Sequence, residues 1–168
     1  WFGVPWAQDH LALLGRVGDR RAEGRVRCDL GALHQEEHRF DDARACFLGA
    51  LAIHREVGNR RFEAIALSDL GAMAFETGAL READAYLRDA IAILRAVGDR
   101  RYDALFTGVR GAVQASLGRV DDARVSLDQA EAFLSRVGDA LFLGAVIVHR
   151  GHLDLALEQR LDRLRGEL

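Results

Sequence analysis

Val97-Gly98-Asp99-Arg100-Arg101 is one copy of a short motif that recurs along the chain. The motif also begins at Val17, at Val57 with Asn in place of Asp, and in shortened form at Val137, so its copies are evenly spaced. Small residues keep the same register: glycine at 31, 71, 111 and 151, and alanine at 43, 83, 123 and at 50, 90, 130. The motif and the small residues thus recur every 40 residues. A fixed period of this length predicts a repeat protein, in which each unit buries its apolar face by stacking on its neighbours.

Each repeat has the pattern of two helices. In the second half of the middle repeat, Ala83, Leu87, Ala90 and Leu94 recur at steps of three and four residues, the stripe of an amphipathic helix. The Gly after each terminal Val is a typical helix stop, and the Asp or Asn that follows it can cap the next helix. The pattern predicts first helices over residues 19–36, 59–76, 99–117 and 139–157, and second helices over 41–57, 81–97 and 121–137. Short links between them predict antiparallel hairpins.

The residues within these helices resemble the tetratricopeptide repeat, in its 40-residue variety. The matching positions are Leu30-Gly31 and Leu70-Gly71 in the first helices, Gly78 and Gly118 at the turns, and Ala83, Leu87 and Ala90 in the second helix. WD40 repeats have a similar period but are built of strands, so the helical pattern excludes them. The resemblance implies an all-α fold, a right-handed α-solenoid of antiparallel helix hairpins.

The register also predicts how the chain is divided. We expect a single repeat domain over residues 1–168, in which 1–16 are the tail of a preceding repeat and 17–56, 57–96 and 97–136 are three full repeats. Residues 137–168 are either a truncated fourth repeat or a C-terminal cap. Because Trp1 falls in the middle of a repeat, we expect the chain to be part of a larger bacterial signalling or regulatory protein.

Composition favours a non-catalytic protein. All 23 basic residues are Arg, which leaves no Lys for a phosphate-binding loop or a Schiff base. The net charge of -3 argues against direct binding of nucleic acid. No apolar run approaches the roughly 20 residues of a membrane span. We therefore expect no enzymatic activity, no cofactor, no nucleic acid and no membrane partner. Cys28 and Cys46, interpreted as free thiols, favour a cytoplasmic location.

Two histidine pairs have spacings that metal sites use. His34 and His38 are four residues apart, but Gln35 stands where a metalloprotease has its general-base Glu. His149 and His152 are three apart, with no Cys or carboxylate in the pattern. We therefore predict a structural role for His34 and no metal at either pair.

The resemblance implies that the first helices line a concave face that binds a peptide or protein segment. Carried onto this chain, it places candidate binding residues at Arg25, Asp29, Ile65, Asp69, Phe75, Leu105, Val109, His149 and His152. Some members of the family clamp a terminal carboxylate with basic and amide side chains at such positions. Here those positions hold Cys28, Ala32, Asp69, Leu105 and Val109, so the clamp is absent.

The charges on this face predict what it binds. Asp29 and Asp69 lie one repeat apart, followed on the same helices by Glu36 and Glu76. This row of carboxylates predicts a partner that carries Arg or Lys beside an apolar side chain, the latter received by Phe75, Leu105 and Val109. The alternative is that both Asp residues only bond to neighbouring helices.

Two functions remain open at this level. One is a protein–protein interaction scaffold within a signalling or transcription-regulatory protein; the other is a peptide-sensing domain that changes curvature on ligand binding. A homo-oligomer is a further expectation, because a chain cut through a repeat leaves apolar ends uncapped. The candidate residues for such contacts are Trp1, Phe2, Trp6, Leu161, Leu164 and Leu168.

Overall fold

The computed structural model describes residues 3–166, except for the side chains of residues 152, 156 and 158–166. This part of the chain forms eight helices and no strand: α1 (Val4–Val17), α2 (Arg20–Glu36), α3 (Phe40–Glu56), α4 (Arg60–Glu76), α5 (Leu80–Val97), α6 (Arg100–Ser116), α7 (Val120–Val137) and α8 (Ala140–Gly166). Helices α2 to α7 begin and end within one residue of the predicted bounds. The helix predicted to end near residue 157 instead continues to Gly166, so the division of residues 137–168 stays a prediction. In the described part, no helix has the length and hydropathy to cross a membrane.

The turns between the helices are evenly spaced, at half the length of the repeat. Six of them place a glycine in the left-handed region, from Gly18 to Gly138, with φ between 65° and 79°. The seventh position is His38, which has a φ of 57°. A residue with a Cβ is strained in this conformation by roughly 1–2 kcal/mol, which explains why glycine fills the other six positions.

The predicted helix caps are present at two of the three motif copies for which the cap is described. Asp19 accepts a hydrogen bond from the backbone N–H of Ala22 at 3.0 Å, and Asp139 accepts one from Phe142 at 3.2 Å. Asn59, at the start of α4, makes no side-chain cap, so the prediction is wrong there.

The chain consists of two compact units, one ending at Asp99 and the other beginning at Arg100. In the first unit, α2 pairs with α3 and α4 with α5; α3 also packs on α4, and α1 packs on α2. In the second unit, α6 pairs with α7, and α8 packs on both. Each unit therefore has the stacked helix hairpins of an α-solenoid, as the repeat predicts.

The repeated glycines allow the two helices of a hairpin to cross closely. A Cβ added to Gly31 would lie 2.5 Å from Cε1 of Phe47, and one added to Gly71 would lie 2.9 Å from Cγ of Leu87. In the second unit, Gly111 faces Leu127 in the same way. At these three glycines the structure confirms a close helix crossing, because a side chain there would displace a buried neighbour. Gly151, in the same register, has nothing within 4 Å of its Cβ position and marks no such crossing.

The apolar ends of the chain are described only in part. Trp6 is 45% exposed. Trp1, Phe2 and Leu168, together with the side chains of Leu161 and Leu164, lie outside the described residues. Association of the chain through its ends therefore stays a prediction.

Candidate functional site

A cavity of about 550 Å³ opens in the first unit between α1, α2 and α4. Four of the predicted binding residues lie in its wall: Arg25, Asp29, Ile65 and Asp69. The first two are on α2 and the other two on α4, one repeat later. The register of the repeat therefore brings equivalent positions of successive first helices to one cavity.

The apolar part of the wall comes from three helices. It is formed by Trp6 of α1, by Ala22, Val26 and Ala32 of α2, and by Phe62 and Ile65 of α4. The Trp6 ring meets the His10 ring edge-on at 5.0 Å between centroids. The Arg25 guanidinium carbon lies 6.0 Å from the centroid of the Phe62 ring, within range of a cation–π contact. Two aromatic rings from different helices thus border the cavity.

The polar part of the wall is acidic. Burial raises the pKa of Asp69 to about 7; a hydrogen bond from the Cys28 thiol lowers it in part, and repulsion from Asp29 adds to the rise. Partial burial also raises the pKa of Asp29, while the nearby charge of Arg25 opposes that rise. Burial, and then the two carboxylates, raise the pKa of Cys28, so its thiol stays protonated and able to donate. Among the described residues, neither Asp29 nor Asp69 forms an ion pair.

Two other carboxylates on the same helices are held very differently. Glu23 of α2 is buried and accepts hydrogen bonds from Arg20 at 2.5 Å and Arg27 at 3.0 Å. Burial alone would raise the pKa of Glu23, but the two guanidinium groups outweigh it and hold the pKa below its usual range. Glu63 of α4 is also buried, and it binds Arg55 at 3.0 Å and Arg60 at 2.5 Å. The negative charge of each glutamate is therefore compensated by two arginines of the same chain.

The other two carboxylates of the predicted row, Glu36 and Glu76, line a second cavity. Glu76 accepts a hydrogen bond from Nε2 of Gln35 at 2.6 Å, so its charge already has a partner. Together with Ala32, Glu36 and His38, these two residues line a smaller cavity of about 320 Å³. Phe75 is half-buried near the end of α4 and lines neither cavity.

The remaining predicted residues belong to the second unit. Leu105 and Val109 are half-buried on α6, His149 is half-buried on α8, and the side chain of His152 is not among those described. A cavity of about 390 Å³ in this unit is lined by Arg101, Phe133 and Asp139 among others, and by none of the predicted residues. His34 is buried, as its predicted structural role requires. Within the described part of the chain, no three metal-ligating side chains come together.

The sequence analysis did not assign Trp6, His10 and Phe62 to this face, although all three line the main cavity, and it also missed Ala22 and Val26. Trp6 and His10 lie on α1, which carries only part of a repeat and so has little register to compare. Phe62 could have been noticed in the sequence, because aromatic residues recur at positions 62, 102 and 142 in the register of the repeat. That recurrence marks a position on α4, α6 and α8 where a ring is accommodated, whereas α2 has Ala22 there.

Comparisons with known proteins agree with the resemblance. Residues 22–96 match the family model of the Tetratricopeptide repeat. No curated protein matches the sequence significantly. Among solved structures, the chain is similar to the crystal structure of a Rap protein complexed with Competence and Sporulation Factor, with a TM-score of 0.80 and 17% sequence identity. The match covers 97% of this chain and 47% of that one, so this chain spans less than half the length of the solved protein.

Proposed function

We propose that this chain, of which residues 22–96 match the Tetratricopeptide repeat family, binds a peptide or protein segment in the cavity between α1, α2 and α4. The observation that carries the proposal is the cavity itself. Its volume of about 550 Å³ lies within the roughly 300–1,000 Å³ of typical ligand sites. Four residues assigned to binding from the sequence lie in its wall.

The character of the wall supports a side chain of a partner as the occupant. Trp6, Phe62 and Ile65 offer apolar surface, while Asp29 and Asp69 offer acceptors at the same opening. Interfaces draw most of their affinity from one or two anchors in such pockets, and the surrounding contacts exclude water. The rest of a bound segment would lie along the neighbouring surface of α2 and α4, near the second cavity at Gln35 and Glu76.

A second candidate is a peptide-sensing regulatory domain. It is favoured because the cavity wall combines α2 of one repeat with α4 of the next, so a ligand touching both helices can change the angle between successive hairpins. The Rap protein of similar fold was solved in complex with a factor named for competence and sporulation. By that analogy, the parent protein of this chain would act in signalling.

A blocking substitution tests the proposal. The full chain is screened against a displayed library of random peptides, and the selected peptides are measured by fluorescence anisotropy. Ala32→Trp places a large side chain in the cavity wall and should weaken binding at least about tenfold. Ala92→Trp, on the exposed side of α5, is the matched control and should leave affinity unchanged. A library that yields no binder, or binders indifferent to Ala32→Trp, would show the proposal to be wrong.

A further inference from the structure

We infer that the cavity between α1, α2 and α4 recognises a basic side chain, arginine or lysine, of the segment it binds. The inference rests on the proposed function and names the chemistry of the anchor. It differs from the sequence-based expectation in one respect: the apolar partners of the carboxylates are Trp6 and Phe62, in place of Phe75, Leu105 and Val109.

The charges of the wall are the first argument. Asp29 and Asp69 both line the cavity, and among the described residues neither has a cationic partner in contact. The fold does supply arginines to Glu23 and Glu63, the buried glutamates on these two helices. The cavity therefore holds an uncompensated negative charge, which a bound cation would neutralise at close range.

Arg25 is the arginine of the cavity wall, and it does not fill this role. Its side chain is exposed, its guanidinium lies over the ring of Phe62, and it forms no ion pair with Asp29. Its charge acts on Asp29 only through space. The Arg25 contact with Phe62 also shows that the ring accepts a cation on its face.

An unsatisfied nitrogen is the second argument. Nδ1 of His10 is buried at the cavity wall and has no hydrogen-bond partner among the described atoms. A buried polar atom without a partner is costly, so it gains from a ligand that supplies a hydrogen bond. A guanidinium carries five N–H donors and an ammonium three, enough to serve His10 Nδ1 and the two carboxylates at once.

The third argument is the apolar wall. Long basic side chains cover apolar surface with their aliphatic stems while the charged head reaches polar groups. The rings of Trp6 and Phe62 and the side chain of Ile65 provide that surface beside the carboxylates. A purely apolar anchor would cover Asp29 and Asp69 without giving them a partner, and an acidic anchor would be repelled.

The experiment compares matched peptides on matched proteins. Peptides selected on the full chain are synthesised again with each Arg replaced by citrulline and each Lys by norleucine, which remove the charge and keep the length. Affinities are measured for the wild type, for Asp29→Asn/Asp69→Asn, and for Asp41→Asn/Asp89→Asn. The last variant has the same net charge as the second but changes exposed positions outside the cavity.

We expect one basic residue whose neutral substitute binds the wild type and the control variant at least about tenfold more weakly. The Asp29→Asn/Asp69→Asn variant should bind the charged and neutral peptides within about twofold of each other, since the charge has lost its partners. If Ala32→Trp abolishes binding but the neutral peptides bind the wild type equally well, the proposed function stands and this inference is overturned. If the charge effect persists in the Asp29→Asn/Asp69→Asn variant, the basic residue binds elsewhere and the inference is likewise overturned.

Discussion

Helices α2 and α4 each carry a glutamate near the helix start and an aspartate at the cavity. The fold supplies arginine partners to the two glutamates but not to the two aspartates. Glu23 and Glu63, near the helix starts, each accept hydrogen bonds from two arginines of the same chain. Asp29 and Asp69, six residues further along each helix, face a cavity and have no ion pair among the described residues. The difference shows in the pKa values: that of Glu23 is lowered, whereas those of Asp29 and Asp69 are raised.

The comparison separates carboxylates that are paired within the fold from carboxylates that are left for a ligand to pair with. A buried carboxylate is tolerated in a fold when it is paired and hydrogen-bonded, and Glu23 and Glu63 meet that condition. Asp69 instead reduces the stability of the unliganded chain when it is ionised, because burial raises its pKa and no described cation is paired with it, whereas Asp29 is more exposed. Partly buried carboxylates without a cation recur at binding sites, where the bound partner supplies the opposite charge.

The largest loss of stability is expected from removing a paired carboxylate. Glu63→Ala should lower the free energy of unfolding by about 3 kcal/mol, since Arg55 and Arg60 lose their acceptor and a buried side chain is truncated. Urea unfolding followed by circular dichroism measures the change. The control is Asp89→Ala, which removes an exposed carboxylate paired with Arg88 and should cause no measurable loss. Equal effects at the two positions would contradict the distinction between structural and surface pairs.

The second prediction concerns the unpaired carboxylate and its pH dependence. The pKa of Asp69 is about 7 in the folded chain, compared with 3.8 for an unperturbed carboxyl, so folding takes up a proton between these values and stability falls as pH rises. Asp69→Asn should therefore be more stable than the wild type by up to about 4 kcal/mol at pH 8 and equal to it near pH 4. Unfolding curves of both proteins across this range provide the test, and a difference independent of pH would count against it.

A smaller effect should follow from removing the thiol that bonds to Asp69. Cys28→Ala deletes the one donor that lowers the pKa of Asp69, so this pKa should rise further. At pH 8 the variant should lose up to about 1 kcal/mol more stability than it loses at pH 4. Cys46→Ala is the matched control, because it removes another half-buried free thiol that donates to no carboxylate. The same pH dependence in both variants would remove Cys28 from the explanation.

The smallest expected effect comes from adding a surface pair. Arg61 binds Asp99 at 2.7 Å and Arg101 binds Asp139, while Arg21 and Asn59 hold the same positions one repeat earlier. Asn59→Asp should complete this series and also cap α4, for a gain of no more than about 1 kcal/mol. Thermal unfolding at low salt measures the gain. The ion-pair part of it should disappear in about 1 M salt, and a gain that survives entirely would be due to the cap alone.

The helix bounds could be predicted closely because they depend on local sequence. Val-Gly-Asp/Asn marks a helix end and the next start within a few positions, and the register of the repeat supplies the same information several times over. Four residues of the cavity, Arg25, Asp29, Ile65 and Asp69, could be predicted for the same reason, because they lie at repeated positions of the first helices. Such features are properties of one helix and its period.

Features that depend on partners from other helices could not be predicted. No local pattern shows that Gln35 donates to Glu76, that Arg20 pairs with Glu56 or that Arg55 pairs with Glu63. Trp6 and His10 escaped notice because their helix carries only part of the repeat. The predicted bounds place His38 in the link between two helices, but its left-handed conformation was not predicted, because glycine holds the equivalent position at the other six turns.

Because the left-handed turns are evenly spaced, the Val-Gly-Asn/Asp-Arg-Arg links between successive repeats, or joints, can replace one another. Removing residues 57–96 would join Glu56 directly to Val97-Gly98-Asp99-Arg100-Arg101, which replaces one Val-Gly-Asn/Asp-Arg-Arg joint by another of the same kind. A hairpin can therefore be deleted, duplicated or exchanged without a new turn. The chain could grow or shrink by whole repeats, each step adding or removing one first helix and one second helix.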